Sequence, residues 1–193
     1  MLWPVVQPFN ITLGSFTILI VVLTILAPLF GWKRFKILQI TFVIAFVAFV
    51  PCCALTMKVL DKTRFGYFEH PTYSEVRDSH VERYLPPAAT KIKIDKILNG
   101  FRAQYLISEA DLLSYLDELW AKYGDRSSIS RKHFTDDGAV ANKEELGLYF
   151  KKYGWTLPEK TIRYYSPVGD NGAGSTYYFD QQTGTVFQHA GYW

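Results

Sequence analysis

The sequence predicts an α+β protein in which a transmembrane helical hairpin precedes a small extramembrane domain with the element order ββααβββ and an antiparallel sheet. Three observations predict this organisation. The 193-residue chain has no acidic residue before Asp61, and two long uncharged segments occupy that same part. From Lys91 onward, polar and apolar residues alternate as in half-buried strands. We therefore expect a membrane hairpin over residues 1–60, a linker or docking arm over 61–90 and the α+β domain over 91–193.

Two segments of the first region are long and apolar enough to cross a bilayer. The first predicted span covers about residues 11–31, within a stretch from Met1 to Trp32 that has no charged side chain, and the second covers about residues 37–58. A helix that rises about 1.5 Å per residue needs about 20 apolar residues to span the hydrocarbon core. The first span does not resemble a cleaved signal peptide, because it lacks a basic n-region and its apolar run is too long.

The basic residues beside the spans predict an orientation. Lys33, Arg34 and Lys36 lie between the two spans, whereas the N-terminal tail carries only its amino group. The positive-inside rule then places this loop in the cytoplasm and both the N-terminus and the C-terminal domain outside the cytoplasm. Three basic residues after the second span argue for the opposite orientation, but long domains translocate largely regardless of charge.

Each span carries a stripe of small or β-branched residues at alternating steps of three and four, which is the spacing of one helical face. Such faces let helix backbones approach closely in lipid. Two interpretations stay open: the stripes close the hairpin on itself, or they pack against another membrane protein. Neither uncharged stretch, 11–31 or 37–57, contains Asp, Glu, Lys, Arg or His, so no proton relay or ion path is expected there.

The first elements of the extramembrane domain form a hairpin and a helix. Residues 91–97 alternate as a strand, Asn99-Gly100 suits a tight turn, and residues 101–107 are the partner strand. Ser108 then starts a helix with a pattern that resembles a capping box.

A second helix and three strands complete the predicted domain. The second helix runs roughly from Lys143 to Tyr153. The three strands are predicted at residues 161–167, 175–180 and 185–189. In this element order we expect both helices to pack on one face of the antiparallel sheet.

No motif in the extramembrane part predicts a reaction. The glycine-rich loop at 169–174 precedes a strand and contains no Lys, so it is not expected to cradle a phosphate. Ser175 lacks the context of a nucleophile elbow, and Asp136-Asp137 lacks the ligand spacing of a calcium site. His189 is interpreted as a structural or surface residue. We therefore predict no catalytic residue, no metal, no cofactor and no enzymatic activity.

Charge and aromatic content favour protein contacts over nucleic-acid binding. Residues 61–193 contain 17 basic and 18 acidic residues, a formal charge of −1, whereas a nucleic-acid binder would carry excess positive charge on this domain. All 13 tyrosines lie in this part, and the chain ends with Tyr192 and Trp193. Exposed Tyr and Trp are favoured at interfaces, although these aromatics could instead fill the core.

Three short motifs resemble those of uncharacterised bacterial membrane-anchored proteins with a small α+β extramembrane domain. These motifs are the Leu-Pro-Pro-Ala-Ala-Thr run at 85–90, the Ile-Ser-Glu-x-Asp-Leu helix start at 107–112 and the Tyr-x-Asp-x-x-Thr-Gly hairpin at 178–184. The resemblance implies a bacterial origin and the fold, and it supplies no activity. Such proteins more often have a single anchor helix, whereas this chain is predicted to have two.

Together these features favour a non-catalytic accessory subunit of a larger membrane protein complex, which docks by its transmembrane hairpin and covers a partner with its extramembrane domain. Its partners would be membrane lipids and other integral membrane subunits, in the bacterial inner membrane. The alternative is an anchored extracytoplasmic binding or sensing module, followed by an anchored enzyme. The residues that we expect to contact a partner are Gly14, Thr17, Thr24, Thr41, Ala45, Ala48, Cys52, Tyr192 and Trp193.

Overall fold

The structure, a computed structural model, describes the backbone of residues 3–191 and the side chains of residues 5–191. Tyr192 and Trp193, two of the predicted contact residues, lie outside the described residues. The chain divides after Arg64 into two compact units. The first unit contains two apolar helices, and the second contains a seven-stranded antiparallel sheet with helices, so the predicted α+β class is confirmed.

Two long helices form the first unit. Helix α1 spans Trp3–Leu26 and continues into a 3₁₀ turn at Ala27–Phe30, and helix α2 spans Arg34–Arg64. Gly31 ends the turn in the left-handed conformation, with φ of 72°, which favours glycine because it has no Cβ. The helices extend beyond the predicted spans at both outer ends, and the extension of α1 includes Pro8 within the helix.

Both helices are long and apolar enough to cross a membrane. Their most apolar 18-residue windows have mean hydropathies of 2.5 and 2.4, and none of the residues of α2 is buried. A water-soluble fold would bury so many Val, Leu, Ile and Phe side chains, because large exposed apolar surfaces are rare on soluble monomers.

One antiparallel sheet organises the second unit. Its strands run in the spatial order β1-β2-β3-β7-β6-β5-β4. The helices are α3 at Ser79–Glu82, α4 at Glu109–Tyr123 and α5 at Lys143–Phe150. The strands are β1 at Gly66–Thr72, β2 at Thr90–Ile97, β3 at Gly100–Leu106, β4 at Val140–Asn142, β5 at Lys160–Tyr165, β6 at Gly174–Asp180 and β7 at Thr185–Gly191.

The structure adds two strands to the predicted order ββααβββ. Strand β1 lies inside the segment predicted as a linker or docking arm, and it pairs with β2 at the edge of the sheet. Pro71 made this segment look irregular, but an edge strand tolerates a residue that cannot donate to the ladder. Strand β4 is only three residues long, with Ala141 alone buried, so it leaves almost no periodic signal.

Helices α4 and α5 cover opposite faces of the sheet, which corrects the expectation that both lie on one face. Leu116 of α4 packs into the larger core with Tyr177, whereas Phe150 of α5 packs into the smaller core with Tyr178. Successive strand residues point to opposite faces, and these two neighbouring tyrosines of β6 are both buried. Because β6 is apolar on both faces, the sheet needs a cover on each side.

Candidate functional site

The predicted contact stripe of α2 faces α1. Thr41, Ala45, Ala48 and Cys52 are all half-buried. Thr56 continues this face one helical turn further, and its hydroxyl oxygen accepts a hydrogen bond from Thr12 of α1 at 3.3 Å. The position of these residues agrees with the interpretation in which the stripe closes the helix pair on itself.

The predicted contact stripe of α1 is placed differently. Gly14 and Thr17 are exposed, and only Thr24 is half-buried. A Cβ added at Gly14 would meet nothing within 4 Å. The described residues of α1 that are buried or half-buried instead recur at steps of four, and they are Pro8, Thr12, Phe16, Ile20 and Thr24. The predicted stripe was defined by small or β-branched residues, so it did not include this face, which contains two large side chains.

An apolar groove runs between the two helices. It has a volume of about 430 Å³, and Thr17 is one of its lining residues. Within it the rings of Phe9 and Phe49 meet edge to face, with centroids 5.2 Å apart. The aromatic side chains that line the groove are Phe9, Phe16, Phe42, Phe46 and Phe49.

A second concave site lies in the domain, between the β2–β3 hairpin and the C-terminal end of α5. This pocket has a volume of about 490 Å³. We call it the Arg102 pocket, and its lining residues are Ile97, Arg102, Gly147, Leu148, Tyr149, Lys151, Lys152 and Tyr153. Such a volume is within the range of about 300–1,000 Å³ typical of sites for small organic ligands.

Local structure explains how these side chains converge. Arg102 alternates with Phe101 and Ala103, which are buried in the larger core, so its side chain points to the opposite face, the one that α5 covers. A 3₁₀ turn follows α5 at Lys151–Tyr153 and ends at Gly154, which has φ of 67°. The turn leaves the two lysines exposed and lets Tyr153 reach back to the sheet.

The Arg102 guanidinium is half-buried and forms no salt bridge within 4.0 Å in the described part of the chain. Its Nη1 donates to the carbonyl oxygen of Phe101 at 3.1 Å, and its Cζ lies 5.9 Å from the centre of the Tyr149 ring. Among residues 3–191, no Asp or Glu oxygen lies within 4.0 Å of the guanidinium nitrogens. Burial lowers the pKa of Arg102, and the neighbouring Tyr153, Tyr149 and Asp95 offset this only in part.

Asp95 compensates one of the two lysines. Its Oδ2 lies 3.6 Å from Nζ of Lys152 and accepts a hydrogen bond from the Tyr153 hydroxyl at 2.7 Å. Burial and this hydrogen bond raise the pKa of Tyr153, so the phenol stays protonated. Asp95 is also the residue directly opposite Arg102 in the β2–β3 pairing, and its charge acts to raise the pKa of Arg102. One carboxylate therefore faces three cations of the pocket, Arg102, Lys151 and Lys152.

His189 lies next to the pocket as a neutral group. Its ring stacks on Tyr149, with centroids 4.7 Å apart. Burial and the charge of Arg102 lower the pKa of His189 to about 4. The imidazole therefore adds no charge to the pocket at neutral pH, and its stacking gives it a structural role.

The pair Asp136-Asp137 is held by cations of the protein itself. Arg163 lies 3.0 Å from Asp136 and 2.8 Å from Glu145, and Arg131 lies 3.4 Å from Asp137. Between residues 3 and 191, no group of three or more His, Cys, Asp or Glu side chains could hold a metal ion. These contacts indicate cross-links between loop, strand and helix.

Sequence reasoning did not single out the Arg102 pocket. The available signals were a lone Arg on the polar face of a strand and a Lys-Lys pair at a helix end, and both are usually solvated surface residues. Comparisons of the chain with protein-family models, with curated proteins and with solved structures found no match. The functional argument therefore rests on the geometry of this chain alone.

Proposed function

We propose that this chain is a non-catalytic accessory subunit of a larger complex in the bacterial inner membrane. In this proposal α1 and α2 cross the bilayer as a hairpin with the Lys33–Lys36 loop in the cytoplasm, and the domain covers a partner on the other side. The exposure of nearly all apolar side chains of the two helices supports membrane insertion. The cluster of basic residues in the connecting loop supports the orientation.

The observation that carries the docking role is the exposed small face of α1. The stripe of α2 is half-buried against α1, whereas Gly14 and Thr17 have no such cover within the described chain. Small residues contribute little to contact with lipid tails, but they let a second helix approach closely enough for backbone packing. We therefore infer that an integral membrane subunit packs on this face of α1.

Co-purification of the full-length chain in mild detergent tests the docking role. We expect an integral membrane protein to co-elute, and we expect Gly14→Leu to abolish this because the new side chain fills the approach surface. The substitution leaves the chain's own packing intact, since a Cβ at Gly14 meets nothing within 4 Å. Val22→Leu, at another exposed position of α1, is the matched control and should retain the partner.

Two results would contradict the docking role. One is a chain that elutes alone at every salt concentration. The other is a partner whose recovery is the same with Gly14→Leu as with Val22→Leu, because the small face would then have no part in the contact.

A membrane-anchored binding or sensing module is the second candidate function. The Arg102 pocket favours it, because a concave site lined by three cations and faced by one carboxylate attracts anionic ligands. The two functions are compatible in one chain, since they use different residues.

A further inference from the structure

We propose that the Arg102 pocket binds a phosphate dianion of the kind that a phosphate monoester carries. This inference goes beyond the accessory role, because it assigns a ligand class to a site that docking of α1 does not use. Three properties of the pocket lead to it: the hydrogen-bonding capacity of Arg102, the charge of the lining and the apolar part of the wall.

Arg102 has unused hydrogen-bonding capacity. A guanidinium presents five N–H donors in a planar fork, and the described hydrogen bond uses one of them, on the carbonyl oxygen of Phe101. Half-buried cations normally pair with a carboxylate, and within residues 3–191 Arg102 has none within 4.0 Å. The fork matches two oxygens of a phosphate group, with which Arg forms bidentate contacts.

The charge of the lining matches a dianion. Arg102, Lys151 and Lys152 line the pocket, and the single carboxylate of Asp95 faces them, 3.6 Å from Nζ of Lys152 and opposite Arg102 in the β2–β3 pairing, so two positive charges remain to be compensated. A carboxylate monoanion would neutralise only one of them. The C-terminal end of α5 opposes an anion, but its partial charge is about half an elementary charge, less than the two positive charges that remain.

The remaining wall fits an organic group. Ile97, Leu148 and Tyr149 line the pocket beside the cations, and its volume of about 490 Å³ leaves space beyond a single phosphate group. We therefore expect a phosphate monoester with a compact apolar or aromatic group to bind more tightly than inorganic phosphate. A soluble monoester and the headgroup of phosphatidic acid share this chemistry.

Calorimetric titration of the full-length chain in non-ionic detergent tests the proposal, with phenyl phosphate as the probe and a phosphate-free buffer. We expect saturable one-site binding, tighter than for benzoate. Arg102→Gln should raise the Kd by about tenfold or more, the typical effect of removing a charged hydrogen-bonding partner. Arg126→Gln removes the same charge from an exposed position outside the pocket, so it is the matched control and should leave the Kd unchanged.

A second variant, at the exposed lining residue Lys151, keeps the test independent of folding. If Arg102→Gln lowers the yield of folded protein, Lys151→Gln decides, because Lys151 is exposed and should be replaceable without disturbing the core. We expect a several-fold rise in Kd for Lys151→Gln and no change for Lys132→Gln, an exposed lysine elsewhere. Equal affinities for both variants of a matched pair would overturn the proposal.

Short-chain phosphatidic acid, with phosphatidylcholine of the same chain length as control, identifies the source of the ligand. Tighter binding of phosphatidic acid than of phenyl phosphate supports a lipid headgroup, and the reverse order supports a soluble monoester. Saturable binding of neither compound overturns the proposal. All these outcomes are independent of the docking role, since Gly14→Leu leaves the pocket unchanged.

Discussion

Replacement of Phe150 by Ala tests whether α5 packs on the face of the sheet opposite to α4. Phe150 is fully buried, and its ring lies 5.9 Å from Trp155, 6.0 Å from Tyr178 and 5.8 Å from Phe187, measured between ring centroids. Truncation of a buried Phe costs about 3–5 kcal/mol, because it removes apolar burial and leaves a cavity. Because Phe150 makes these three aromatic contacts, we expect Phe150→Ala to lower the free energy of unfolding by an amount in the upper half of that range.

The assay is urea unfolding of the full-length chain in detergent, followed by tryptophan fluorescence. Trp155 packs against Phe150 and therefore reports directly on the smaller core. Leu148→Ala is the matched control on the same helix. Leu148 is 80% exposed, so its truncation should change the free energy of unfolding by less than about 0.5 kcal/mol. If the two variants have the same stability, α5 does not pack as described and the two-faced architecture is refuted.

Three further predictions concern other parts of the molecule. Lys96→Met should destabilise the domain by about 3 kcal/mol at pH 7, because Lys96 is buried and lies 2.8 Å from Asp78. Burial opposes ionisation of Asp78, but Lys96 lowers its net pKa below 3.8. The urea midpoints of the wild type and of Lys96→Met should therefore converge as pH falls through that lowered pKa. Gly100→Ala should prevent stable folding in a thermal melt, since its Cβ would collide with a backbone carbonyl of β7. With both native cysteines replaced by alanine, a membrane-impermeant maleimide should label Ser128→Cys in intact cells and leave Trp32→Cys unlabelled; the reverse pattern would invert the proposed topology.

Elements whose signals lie within a few neighbouring residues of the sequence could be predicted from it. The alternation in residues 91–97 predicts β2, and the Asn99-Gly100 turn predicts its pairing with β3. The helix start at Ser108 is also local, since its hydroxyl accepts a hydrogen bond from the backbone N–H of Asp111 at 3.1 Å. Each of these signals lies within a few residues of the element that it predicts.

Strands with weak local signals could not be predicted. Strand β1 contains Pro71 and is stabilised by its pairing with β2, whose paired residues lie 18 to 30 positions further along the chain. The pairing of β3 with β7 joins residues as distant as Phe101 and Ala190. Neither pairing follows from periodicity, because the energy of a sheet comes from cross-strand contacts.

The sequence by itself determined the two apolar helices, the antiparallel α+β class and the absence of a recognisable reaction motif. Only the tertiary structure decided which helical faces stay exposed, which face of the sheet each helix covers and where uncompensated charge remains. Arg102 and Lys151 are far apart in the chain, and they line one pocket because α5 crosses the face of the sheet to which Arg102 points. The excess of cations over carboxylates around a pocket depends on which residues meet in three dimensions, so no local pattern of residues could reveal it.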